Sequence, residues 1–179
     1  MRQANTSSAT LCVVDALGGS HGAASAATSK LILGSGICLL PQHNHFNAAK
    51  AIASLDMLSG GRIVFGIGGG WNVEEMNDHG AEYKTRFKLM RERILAMKAL
   101  WTEEEGEFHG EMVDFDPAWS HPKPVQKPHP LIVLGGETDY TLRRVVEFCD
   151  GWLLRWPARR AIRGDHRVGR LPARQPNYS

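Results

Sequence analysis

Apolar residues recur along the chain in two alternating rhythms. Continuous runs of strand length appear at "KLILGSGICLL" (Lys30 to Leu40), at Arg62 to Gly66, at "PLIVLGG" (Pro130 to Gly136) and at "GWLL" (Gly151 to Leu154). Such runs predict strands covered on both faces. Between them the spacing turns helical. Ala48, Ile52 and Leu55 fall on one side of Asn47 to Ser59, and Phe87, Met90, Ile94, Met97 and Trp101 stripe Thr85 to Trp101. Gly60-Gly61 supplies a left-handed stop for the first helix, and Thr138 is placed to cap a third that runs to about Cys149. Strand, helix and strand with short joints predict right-handed parallel units.

The remaining segments are weaker signals. Residues 1–14 have no clear periodicity, and Asp15 to Ser29 is alanine-rich but broken by glycines, a frayed helix at most. "EFHGEMVDF" predicts a small hairpin turning at His109-Gly110. "HPKPVQKPHP" reads as a structural strap leading into Leu131, with an SH3-type ligand as the alternative. Past Leu154 the periodicity vanishes and disorder is expected. The expected organisation is therefore an undetermined segment at 1–22, an α/β unit at 23–154 and an arginine-rich tail at 155–179.

Charge separates along the same boundaries. Residues 1–154 hold 14 Lys/Arg and 18 Asp/Glu, whereas 155–179 hold seven arginines against Asp165 alone. The basic excess belongs to the tail, so the body carries no nucleic-acid footprint. No apolar run approaches the ~20 residues that span a bilayer, and the N-terminus makes a poor signal peptide. Cys12, Cys38 and Cys149 form no C-x-x-C pair, so neither a disulfide framework nor a thiolate zinc site is indicated. A cytoplasmic location is expected. His43 and His45 lack a third ligand at metal-site spacing and read as rim residues rather than a metal centre; His109, His121 and His129 are expected to face solvent.

Candidate chemistry centres on "GRIVFGIGGGW". A dinucleotide fingerprint would need a third glycine where Trp71 stands, and no acidic residue follows at the ribose-reading distance. A phosphate loop fails for want of Gly-Lys-Ser/Thr. The alternative is a strand end cleared of side chains so that a flat ligand can approach the backbone, with Trp71 as an apolar wall and Asn72 as an amide at the rim. "GSGI", "GIGGGWN" and "LGGET" place such glycines at three successive strand ends, where α/β barrels build their sites. The third also opens a helix, which suits a phosphate. Glu137 and Asp139 there oppose an anion, and Arg143 and Arg144 offset them in part.

"LDMLSGGRIVFGIGGGWNVEEM", "RERILAMKALW", "FHGEMVDFD", "PKPVQKPHPLIVLGGE" and "LRRVVEFCDGW" together resemble the luciferase-like monooxygenase superfamily, in its deazaflavin (coenzyme F420) oxidoreductase branch, over roughly Ala23 to Leu154. The resemblance implies an (α/β)8, or TIM, barrel holding a flavin or deazaflavin at the carboxyl ends of its strands. The four strands would be the third to sixth of eight, as in a truncated reading frame. It implies a non-prolyl cis peptide at Gly36 and Ile37 behind the ring. Gly68, Gly69, Gly70, Trp71 and Asn72 would lie beside the ring, and Leu134, Gly135, Gly136 and Thr138 along the ring and its ribityl chain. It assigns no catalytic residue: the place of a catalytic glutamate in some relatives is Gly69, and their histidine lies on a strand absent here. Phe46 stands where a proline is common. The implied activity is hydride transfer to or from a small organic substrate with coenzyme F420, or an FMN-dependent monooxygenase reaction with oxygen. The alternative is a non-catalytic truncated remnant that needs a partner to fold; separately, exposed barrel edges suggest a homodimer.

Overall fold

The computed structural model describes residues 11–14, 19–153 and 169–170. Five strands lie parallel in one sheet: β1 (Leu11–Val14), β2 (Ile32–Ser35), β4 (Ile63–Gly68), β7 (Leu131–Gly135) and β8 (Gly151–Leu153), in that order. The short β3 (Cys38–Leu39) pairs parallel with β4, and β9 (Gly169–Arg170) pairs antiparallel with β8. Helices α1 (Gly19–Ala27), α2 (His45–Ser59), α3 (Val73–Asp78), α4 (Arg86–Thr102) and α5 (Asp139–Phe148) connect the strands, with α3 and α4 following one another after β4. The hairpin β5 (Glu105–His109) and β6 (Asp114–Trp119) stands apart as a second sheet. Among the described residues the sheet stays open, with β1 and β9 at its edges.

The expected elements are present, with corrections. Lys30 to Leu40 is not one strand: it breaks at the cis Gly36-Ile37 peptide into β2 and β3. Gly34 pairs with Val64 and Cys38 with Ile67, so four steps on this side face three on β4. One residue is extra, which defines a bulge. β1 arises where no periodicity was readable. α3 was also missed, and β9 gives order to two residues of the tail; the rest of residues 154–179 lies outside the described residues.

α2 starts two residues before the apolar pattern, since the Asn44 carboxamide accepts from the N–H groups of Phe46 (2.9 Å) and Asn47 (3.2 Å). It ends at Gly60 in the left-handed conformation, φ 66°. Phe46, unexplained by sequence, packs edge-on against Phe115 of the hairpin at 4.8 Å. Odd-numbered Ile63, Phe65 and Ile67 of β4 point into the helix layer, where Ile52, Met90, Ile94, Met97 and Trp101 are buried against them. The +4/+3 stripe on α4 is thus the core face. Glu92, on the same helix, is buried and accepts from the N–H groups of Met112 and Val113, which fixes the hairpin turn.

The Pro-rich strap is latched by one carboxylate. Asp56 is fully buried on α2 and accepts from the Gln126 backbone N–H (2.9 Å) and side-chain amide (2.7 Å). That amide also donates to the Ile63 carbonyl at 2.8 Å. Asp56→Ala should therefore lower the unfolding free energy by about 1–3 kcal/mol, the cost of buried donors left unmet, as a drop in the urea midpoint. His129, at the strap's end, corrects the solvent-facing expectation: its side chain is 9% exposed and lies 6.1 Å from the Trp101 ring. His109 and His121 are exposed.

Candidate functional site

The carboxyl ends of β2, β4 and β7 meet at one side chain. A Cβ placed on Gly68 would fall 2.1 Å from Ile37 Cδ1, and one on Gly135 would fall 3.2 Å from the same atom. Ile37 is thus seated between two strands by two missing side chains. The clearance read from the sequence as room for a flat ligand is here taken up by protein. Gly69 is likewise covered, with Phe87 Cε1 at 2.6 Å from a Cβ placed there. The same contact explains why no glutamate stands at Gly69: a side chain would displace the Phe87 ring.

Just below, Gly66 is pressed against the neighbouring strand. Its N–H donates to Ser35 Oγ (2.9 Å), and that hydroxyl donates to the Gly66 carbonyl (2.8 Å). The serine hydroxyl replaces ladder hydrogen bonds lost at the bulge.

Around this centre the other candidates fall on two rims. Beyond β4, Gly70 is half-buried and Trp71 is 82% exposed. Asn72 caps α3, its side-chain oxygen accepting from the Glu75 N–H at 3.3 Å, and its amide N–H donors have no partner among the described residues. The Asn-x-x-Glu spacing is a helix-start signal that could have revealed α3. Beyond β7, the Gly136 carbonyl accepts from Trp152 Nε1 at 2.5 Å. Thr138 caps α5, its hydroxyl bonded to the Thr141 N–H (3.2 Å) and facing the Thr141 hydroxyl (3.1 Å). Leu134 is buried toward the helix layer. Of the arginines expected to offset Glu137 and Asp139, Arg144 instead stacks on Phe87 of α4, 3.8 Å from the ring centre.

A groove of about 630 Å3 opens from the bulge along the first turns of α2. It joins Gly36 and Ile37 to Cys38, Gln42, His43 and Asn47, and it does not include the β4 or β7 candidates. Burial lowers the His43 and His45 pKa values below the usual imidazole range, with Arg93 (and, for His43, His79) adding in the same direction. Burial pushes the Cys38 thiol up to about 12, so it stays protonated and is no nucleophile. The sequence reading missed Gln42, Asn44 and Asn47; Asn44, a polar cap before an apolar run, was the available signal. Among the described residues, no three His, Cys, Asp or Glu side chains group as a metal site, and no helix is long and apolar enough to cross a membrane.

Comparison with known proteins gives this arrangement a family. The chain is 43% identical over 134 residues to an uncharacterized protein of Mycobacterium tuberculosis, across 75% of this chain and 48% of that one. It is 37% identical over 94 residues to an FMNH(2)-dependent dimethylsulfone monooxygenase of Pseudomonas putida (51% of this chain, 26% of that one). It is 32% identical over 98 residues to an F420-dependent glucose-6-phosphate dehydrogenase of Amycolatopsis mediterranei (53% and 29%). The chain thus spans about half the length, or less, of the curated relatives it matches. The solved coenzyme F420 dependent tetrahydromethanopterin reductase from Methanopyrus kandleri shares the fold with a TM-score of 0.66 at 21% identity, over 80% of this chain and 46% of that one. A profile described as luciferase-like monooxygenase matches residues 21–166; the chain belongs to the luciferase-like monooxygenase family.

Proposed function

We propose that the chain holds a flavin or deazaflavin ring over the Gly36-Ile37 bulge, between the ends of β4 and β7. Coenzyme F420 is the first reading and FMN the second. The observation that carries this is the convergence of Gly68 and Gly135 on Ile37, which leaves a floor of backbone and one aliphatic side chain at the carboxyl end of a parallel sheet. Asn72 suits the group, because its unpartnered amide N–H donors fit a ring carbonyl. Gly36, Gly70, Gly135 and Gly136 are half-buried, so backbone at the rim stays within reach of a ligand.

Once bound, such a ring supplies a hydride donor or acceptor, or in reduced FMN an oxygen-reactive centre. The chain's own part is narrower. None of the proposed ring-contacting residues ionises near neutral pH, so they position and shield but move no proton. Proton transfer then falls to the substrate, to water or to groups outside this set. FMN as the second reading is favoured by the FMNH(2)-dependent relative, the more similar of the two named cofactor users.

Titrating the purified chain with coenzyme F420 and with FMN, while following ring absorbance and fluorescence, tests the reading. Saturable binding of at least one is expected, and binding of neither overturns it. Gly68→Val should weaken that binding about tenfold or more, because the new side chain must expel Ile37 and overpacked sites shift their neighbours. A valine variant that folds and binds as the parent does would remove Ile37 from the ring floor.

A further inference from the structure

We propose that His45 is an acid-sensitive latch for the β5–β6 hairpin: neutral, it seats Phe115 on the start of α2, and protonated, it lets that side of the hairpin go. The imidazole lies against two rings. Phe46 is 4.4 Å away, centre to centre, and Phe115 of β6 stacks on it at 5.4 Å with 23° between the planes. Phe115 also meets Phe46 at 4.8 Å, so one cluster of three rings joins the hairpin to α2. His45 Nε2 is buried and has no hydrogen-bond partner among the described residues. Buried polar atoms are rarely left so, and the cost is far higher once the ring carries a charge.

The groups packed on this imidazole do not compensate that charge. From α4 comes the half-buried Arg93 guanidinium, which donates to the Leu40 (2.9 Å) and His43 (2.5 Å) carbonyls. It has no ion-pair partner among the described residues. From the hairpin comes the Phe115 ring; its neighbours Asp114 and Asp116 are exposed and, by strand alternation, point to the other face. Ahead of α2, His43 is itself opposed by His79 and Arg93. Burial first and Arg93 second hold the His45 pKa below its usual range, and attraction of an imidazolium to the ring faces offsets part of that. The hairpin's other anchors lie on α4. Glu92 accepts from the Met112 and Val113 N–H groups, and Lys88 pairs with Glu111. They hold the turn while the Phe115 side comes away. His109 responds in the opposite sense, since its hydrogen bond to Asp114 raises its pKa, so its protonation does not loosen the hairpin from within. A released hairpin returns His45 to an ordinary imidazole value of about 6.5. The closed state is therefore favoured above that pH and gives way as pH falls toward the lowered value, by about tenfold for each unit of lowering. The latch uses none of the residues assigned to the ring and does not rest on that reading.

The test uses the full chain and follows amide hydrogen exchange by mass spectrometry from about pH 8 to about pH 5, the span in which an imidazole changes charge. Rates are corrected for the intrinsic pH dependence of exchange, with α4 as the internal reference, and NMR titration of the histidines gives the His45 pKa. Protection of residues 114–119 is expected to fall with pH by about tenfold per unit of measured lowering, while α4 stays protected. H45F keeps a ring in the stack and has no proton to take, so its hairpin protection should be level across the span. H45Q also takes no proton and replaces it if circular dichroism melts show that H45F does not fold. Glu92 is untouched in both, so any response of its own appears in parent and variants alike. A His45 pKa at or above about 6.5, hairpin protection that does not change in the parent, or the parental pH response in a folded variant overturns the latch. Loss of hairpin and α4 protection together is global unfolding and overturns it as well. If neither variant folds, the two readings on the parent decide.

Discussion

Trp101→Ala should lower the unfolding free energy by about 3–5 kcal/mol, the range for emptying a large aromatic site. Trp101 is 1% exposed and among the largest fully buried side chains. It meets Phe65 of β4 edge-on at 6.4 Å and His129 of the strap at 6.1 Å. Its indole N–H donates to the Ala49 carbonyl on α2 at 3.0 Å. Sheet, strap and both long helices therefore lose a neighbour at once, and the hydrogen bond that ties α4 to α2 goes with it. Urea unfolding followed by far-UV circular dichroism reads the loss. Trp101→Phe should cost less, since it keeps most of the ring. A loss below about 1 kcal/mol in the alanine variant would mean that the surrounding core collapses into the space.

Gly66→Ala should cost about 3 kcal/mol, near the upper end for overpacking. The added Cβ would stand 2.0 Å from the Ser35 carbonyl oxygen. That atom is backbone in a paired strand, so no side-chain rotation relieves the clash. Either β2 and β4 separate or the Ser35 hydroxyl gives up its two bonds to Gly66. The same urea assay reports it, and an unchanged midpoint would show that the strands lie further apart than described. Ser35→Ala tests the second route independently, removing both hydroxyl bonds while leaving the spacing alone.

How much was legible in the sequence follows from where each signal resides. β4, β7 and α4 were readable because each buries a whole face, and burial writes a period into the residues. The α5 cap was readable because Thr138 bonds locally, to Thr141. The family and the Gly36-Ile37 peptide came from resemblance, and spacing alone would not have found that bond. What stayed hidden depends on contacts distant in sequence. Nothing in "GIGGG" says that Ile37 and Phe87 fill the spaces its glycines leave, and nothing in "HPKPVQKPHP" says that Gln126 reaches Asp56. His129 looked like a solvent residue because its neighbours are prolines, yet Trp101 covers it. Arg144 was weighed against the acids of its own helix end, while its partner is a ring on α4.

Ile37 works as a keystone. Gly68 on β4 and Gly135 on β7 abut the same methyl group, so neither strand end can slide without the other sensing it. A disturbance arriving at one lip of the cleft is thereby handed across to the opposite lip through a single aliphatic wedge.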